Sequence, residues 1–308
     1  MRVSRRVVMG AVAGAGVGVG GPLALAETKT AAFPLRHPDG RETGYRVLTP
    51  GAGGAWPVVL FSHGANSSNL DYDLLWQPWA QHGYMVVGPN HIDSGPVEGQ
   101  RKVGAGQLWT ARVADTALPL SRRGPFDEIA HGLGATVDWT AVCAAGHSFG
   151  AVVAQALAGA TLMDPGDHAP FDGRARAVSA CMAFSPPGPL AGFIPADAWA
   201  SVSAPSLLQT GDADVLPGFV NDWRLRLVGF SGRPDRWTIV AKGVDHYFGG
   251  LICRRKAAPP ADVVALQETS SLSVDFLDAY VRRRPEALSR LRRRAAAGDD
   301  GVLAFAEV

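Results

Sequence analysis

The sequence predicts an α/β fold, a mainly parallel twisted sheet with helices on both faces. Three observations carry that expectation. Short continuous apolar runs recur along the 308-residue chain, as at residues 56–61 and 85–88, and such runs suit strands buried on two faces. Segments with helical apolar spacing lie between them, so strand and helix alternate. From Thr140 to Leu157 a strand, a tight turn and a helix follow one another without a break.

In chain order, residues 1–26 read as an export signal preceding the fold. Arg2, Arg5 and Arg6 come before an apolar Gly/Ala/Val stretch, and Ala24-Leu25-Ala26 supplies a small-residue cleavage pattern. Ser4-Arg5-Arg6-Val7-Val8-Met9 resembles a twin-arginine signal, which implies an exported, periplasmic or extracellular bacterial protein that crosses the membrane folded. A general secretory signal is the alternative. The apolar stretch is short and glycine-rich, so no stable membrane insertion is expected after its removal.

Residues 27–308 are expected to form a single α/β domain, long enough for a sizeable core. The leader holds three of the 29 basic residues and none of the 28 acidic ones, so the remainder carries a small acidic excess. That balance gives no bulk attraction to nucleic acid. Of the three cysteines, Cys143 and Cys181 sit in apolar runs and read as buried thiols; no C-x-x-C spacing suggests zinc. Cys253 has no assignment from the sequence.

Residues 33–48 read as two short antiparallel strands around the turn His37-Pro38-Asp39-Gly40. Residues 56–61 and 85–88 read as parallel strands, and residues 70–82 and 107–120 as helices. After the central stretch, 177–184, 206–210 and 237–240 read as strands, 223–228 as a helix and 263–281 as a final helix. The arginine runs 282–284 and 292–294 read as solvated helix ends, where cations oppose the helix dipole.

The chemistry is concentrated at Gly146-His147-Ser148-Phe149-Gly150. A turn this tight between strand and helix needs small residues at Gly146 and Gly150 and holds Ser148 in strained geometry, projecting outward. A serine hydroxyl becomes a nucleophile when a histidine takes its proton and a carboxylate orients that imidazole. Downstream, Gly211-Asp212-Ala213-Asp214 places two acids after one strand, and Asp245-His246 places a histidine after the next. His147 is confined within the turn. The remaining histidines precede the acids or lie far from a suitable strand end, which leaves His246.

Phe61-Ser62-His63-Gly64, the run Gly146-His147-Ser148-Phe149-Gly150-Ala151, the G-x-x-D ending at Asp214 and Asp245-His246-Tyr247-Phe248-Gly249 together resemble the α/β-hydrolase superfamily. Within it they are similar to the dienelactone-hydrolase-like and platelet-activating-factor-acetylhydrolase-like esterases. The resemblance implies a small-molecule carboxylic ester substrate, no cofactor or metal, and an acyl-enzyme on Ser148 in a triad with Asp214 and His246. Dienelactone hydrolases themselves use cysteine where this chain has Ser148, which favours ordinary esters. The oxyanion donors are expected to be the backbone N–H groups of Phe149 and of Ala65, which stands where a glycine is often found. Amide or lactone hydrolysis, or acyl transfer, would use the same triad, and a non-catalytic binding protein on this scaffold is a further alternative. Residues 186–205 are too short and proline-rich for a helical lid, which predicts an open cleft preferring short to medium acyl esters.

Overall fold

The computed structural model describes residues 10–11, 27–51, 53–95, 103–230, 232–254 and 257–308. Apart from Gly10 and Ala11, the predicted export signal lies outside the described residues. The strands are β1 (Gly10–Ala11), β2 (Thr28–Arg36), β3 (Glu42–Pro50), β4 (Gly54–Ser62), β5 (Met85–Pro89), β6 (Ala135–His147), β7 (Leu162–Met163), β8 (Pro170–Phe171), β9 (Val178–Phe184), β10 (Ser206–Gly211), β11 (Arg236–Ala241) and β12 (Leu303–Glu307). The α-helices are α1 (Asp73–Gln81), α2 (Ala105–Ser121), α3 (Gly124–His131), α4 (Phe149–Leu157), α5 (Pro260–Tyr280) and α6 (Pro285–Ala297).

All strands but β7 and β8 share one sheet in the order β1-β2-β3-β5-β4-β6-β9-β10-β11-β12. From β5 through β11 every neighbouring pair is parallel; β1, β2 and β3 add antiparallel at one edge and β12 at the other. The alternation along β4 shows why its apolar run is continuous. Val59 and Phe61 pack into the core beneath α1 and α5, whereas Val58 and Leu60 pack into the core on the opposite face. Both faces are covered, so every position in the run must be apolar.

The antiparallel opening pair, the parallel strands and the α1, α2, α4 and α5 helices lie where the periodicity predicts them. Residues 223–228 differ: Trp223–Leu227 is a 3-10 turn that leads the chain along the end of β10. Two C-terminal elements are additional. The helix α6 is dominated by arginine, so only Ala287 and Leu291 are buried, and the short β12 pairs antiparallel with β11. The first arginine run is only partly solvated, because Arg282 and Arg284 both pair with Asp278 on α5.

Candidate active site

The parallel strands β4, β6, β10 and β11 end on one edge of the sheet, where α/β sheets bind ligands. Ser148 sits between the end of β6 and the start of α4 with φ 56° and ψ −120°, a left-handed conformation that costs about 1–3 kcal/mol in a non-glycine residue. Its N–H donates to the Phe184 carbonyl at 2.8 Å, tying the turn to β9. The flanking glycines are required by contact. An ideal Cβ at Gly146 would lie 2.1 Å from the Gly150 carbonyl oxygen, and one at Gly150 would lie 1.9 Å from the Ser62 carbonyl oxygen.

Asp214 and His246 come together across the ends of β10 and β11. His246 Nδ1 lies 2.7 Å from Asp214 Oδ1, and both side chains are buried. Asp214 also accepts from Thr210 Oγ1 at 3.0 Å and pairs with Arg226 at 2.7 Å. Burial pushes the Asp214 carboxyl up, but the hydrogen bond from His246 and the charge of Arg226 outweigh it and hold the group below the usual carboxylate range. An ionised carboxylate only accepts, so Nδ1 of His246 carries the proton of this contact. Asp212, the other acid of the motif, instead accepts the Gly243 N–H at 2.6 Å in an exposed turn.

His147, excluded as a base, stands behind His246. Burial, and then the neighbouring His246, push its imidazole down to about 3, so it is neutral. Its Nε2–H donates to the His246 carbonyl at 2.9 Å, and its Nδ1 accepts from the Tyr72 hydroxyl at 3.1 Å. Tyr72 in turn accepts the Gly64 N–H at 2.9 Å. The loop after β4 and the histidine loop after β11 are therefore joined through the elbow.

A cavity of about 570 Å³ opens over Ser148 and His246. Ala65 and Phe149 also line it, and among the described residues neither backbone N–H has a protein hydrogen-bond partner. Leu108, Leu190, Phe193 and Phe219 give it an apolar wall. Residues 186–205 form no α-helix, as expected, only a 3-10 turn at Ala198–Ser201 and an antiparallel bridge between Leu190 and Ile194. That bridge nevertheless turns Leu190 and Phe193 onto the cavity. The cleft over Ser148 therefore has apolar walls, and its volume is within the range that encloses a drug-sized ligand. Cys253 is found here too, a buried free thiol beside Gly64 on the cavity lining.

Beneath the same loop lies a second Ser-His-Asp arrangement. His91 Nδ1 lies 2.9 Å from Asp115 Oδ2 and its Nε2 lies 2.8 Å from Ser62 Oγ. Asp115 is further held by His37, Arg41 and Thr43. Burial raises the Asp115 carboxyl, but the hydrogen bonds from His37, His91 and Arg41 outweigh it and keep the group ionised. Ser62 and Asp115 are fully buried, so the cluster locks the end of β4 to α2 and to the β2–β3 hairpin. Neither this cluster nor Arg226 was foreseen from the sequence. Their partners lie far apart along the chain, and no local motif announces them.

The mainly parallel sheet with helices on both faces is an α/β-hydrolase fold, and the strained serine turn, Asp214 and His246 lie at its successive strand ends. Comparison with known proteins agrees. A family model described as Chlorophyllase matches residues 36–164, which include the Ser62–Ala65 loop and the elbow but end before Asp214. A 43-residue stretch is 44% identical to "Chlorophyllase type 0" of Chenopodium album; the match covers 14% of this chain and 12% of that relative. The fold is similar to that of a ferulic acid esterase from Streptomyces cinnamoneus, with a TM-score of 0.61 and 16% identity over 86% of this chain and 93% of the other. No helix among the described residues is long and apolar enough to cross a membrane.

Proposed function

We propose that this protein is a serine hydrolase that cleaves carboxylic esters through an acyl-enzyme on Ser148. The observation that carries the reading is the convergence on one cavity of the strained Ser148 and of His246, whose other ring nitrogen is 2.7 Å from the buried Asp214. His246 Nε2 takes the serine proton as Oγ attacks the ester carbonyl carbon, and Asp214 steadies the imidazolium that forms. The N–H groups of Ala65 and Phe149 receive the oxyanion. Collapse expels the alcohol, which takes the proton from His246, and water then releases the acid by the same steps in reverse roles. The apolar, aromatic wall supports esters of bulky, ring-containing acids or alcohols, in keeping with the named activities of the similar proteins.

The test is labelling by a fluorophosphonate probe together with hydrolysis of nitrophenyl and aryl esters. Wild-type protein is expected to label and to turn over, and folded Ser148→Ala to do neither. Labelling that survives in Ser148→Ala would overturn the assignment, and an unlabelled, inactive wild type would leave a binding protein on a hydrolase scaffold. Export is proposed from the leader-like residues 1–26, and retention of an Arg5→Lys, Arg6→Lys precursor in the cytoplasm would support the twin-arginine route.

A further inference from the structure

We propose that Arg112, in the middle of α2, is the positioning residue of the oxyanion hole. The inference rests on the esterase reading and goes beyond it. Arg112 is fully buried, and its guanidinium is held by Asp93 through Nε to Oδ1 at 2.9 Å and Nη2 to Oδ2 at 2.8 Å. With that fork fixed, Nη1 donates to the His63 carbonyl at 2.7 Å and Nη2 to the Gly64 carbonyl at 3.1 Å. The Gly64 carbonyl and the Ala65 N–H are the two ends of one planar trans peptide and point in opposite directions. Drawing the carbonyl inward onto Arg112 therefore turns the Ala65 N–H outward, to the cavity that Ala65 shares with Ser148.

The same carbonyl is held from a second side. The His91 N–H donates to His63 Nε2 at 3.1 Å, which makes Nε2 the acceptor and leaves Nδ1–H to donate to the Gly64 carbonyl at 2.7 Å. The guanidinium carbon also lies 4.7 Å from the centre of the Phe149 ring. One buried group thus sets the peptide that presents the first oxyanion donor and packs against the residue that presents the second. Paired with Asp93, it acts through geometry rather than net charge. An apolar side chain could fill the same space, but it could not hold two carbonyl oxygens.

Arg112→Lys keeps the charge and loses the fork. In the folded variant, kcat on a nitrophenyl ester is expected to fall about 100-fold while KM moves less than about threefold, because an oxyanion donor acts on the transition state alone. A trifluoromethyl ketone, which forms a tetrahedral adduct with the serine, should bind more weakly by the same factor. Should Arg112→Lys fail to give a cooperative thermal transition, Asp93→Asn carries the test, since it loosens the guanidinium and leaves its carbonyl contacts available. An intermediate loss of kcat is expected there, again matched by the ketone. Unchanged kcat in a folded variant, or a loss of kcat without a loss of ketone binding, would overturn the proposal. If wild-type protein neither labels with fluorophosphonate nor binds the ketone, the esterase reading itself fails; a wild type that does both separates the two outcomes.

Discussion

Gly150→Ala is the most direct probe of how the fold builds the site. The new methyl would lie 1.9 Å from the Ser62 carbonyl oxygen and 2.7 Å from that of His63. A carbon rarely approaches a carbonyl oxygen closer than about 3.3 Å, so strand and helix must part by about 1.4 Å at this point. β4 has little room to give, because Ser62 is fully buried and tied to His91. The N-terminus of α4 must withdraw instead, and it takes Ser148 and the Phe149 N–H with it. A misplacement of about 1 Å can cost about 100-fold, so kcat/KM on a nitrophenyl ester should fall by at least that factor, about 2.7 kcal/mol of transition-state stabilisation. Overpacking should also cost about 1–3 kcal/mol of stability, seen as a lower urea midpoint. Gly44→Ala is the control, since its Cβ would meet nothing within 4 Å. A folded Gly150→Ala within threefold of the wild-type rate would refute the reasoning.

Asp214→Asn should lower kcat by about four orders of magnitude, because the amide favours the wrong imidazole tautomer, while Asp212→Asn loses less than about tenfold; the reverse ranking would move the acid to Asp212. Stability should fall in mild acid. His147 is held down to about 3, and burial likewise lowers His63 and His91, so these rings stay neutral in the folded protein while the unfolded chain protonates below its ordinary histidine value. The unfolded state then binds more protons, and each such ring costs about 1.4 kcal/mol per pH unit from about 6.5 down to its folded value. An identical urea midpoint at pH 7 and pH 5 would contradict this. Along a nitrophenyl ester series KM should fall as the acyl group fills the cavity, by up to about 0.8 kcal/mol per buried methylene. With no α-helical lid in residues 186–205, activity should not jump on an emulsion; such a jump would show that a lid exists elsewhere.

Local physics was legible in the sequence. The elbow could be read because a strand and a helix packed on a serine turn leave no room for side chains at Gly146 and Gly150, a demand visible within five residues. The parallel strands could be read because burial on two faces requires an unbroken apolar run, and the site histidine because it follows such a run. The arginine-rich α6 has only a thin apolar stripe, and the edge strand β12 is fixed by its pairing with β11, so neither signalled itself strongly.

Tertiary structure alone decided the rest. Asp212 and Asp214 are two residues apart in one motif, and only the crossing of the β10 and β11 loops brings Asp214 to His246 and turns Asp212 to the Gly243 N–H. Arg226 meets Asp214, Arg112 meets the Gly64 carbonyl, and His91 bridges Ser62 and Asp115, each across a long stretch of chain. The volume of the cavity is likewise the joint result of several loops. The reason is physical: a strained turn or a buried strand constrains the residues within it, whereas a buried charge needs only some partner in space, and the fold alone supplies that partner.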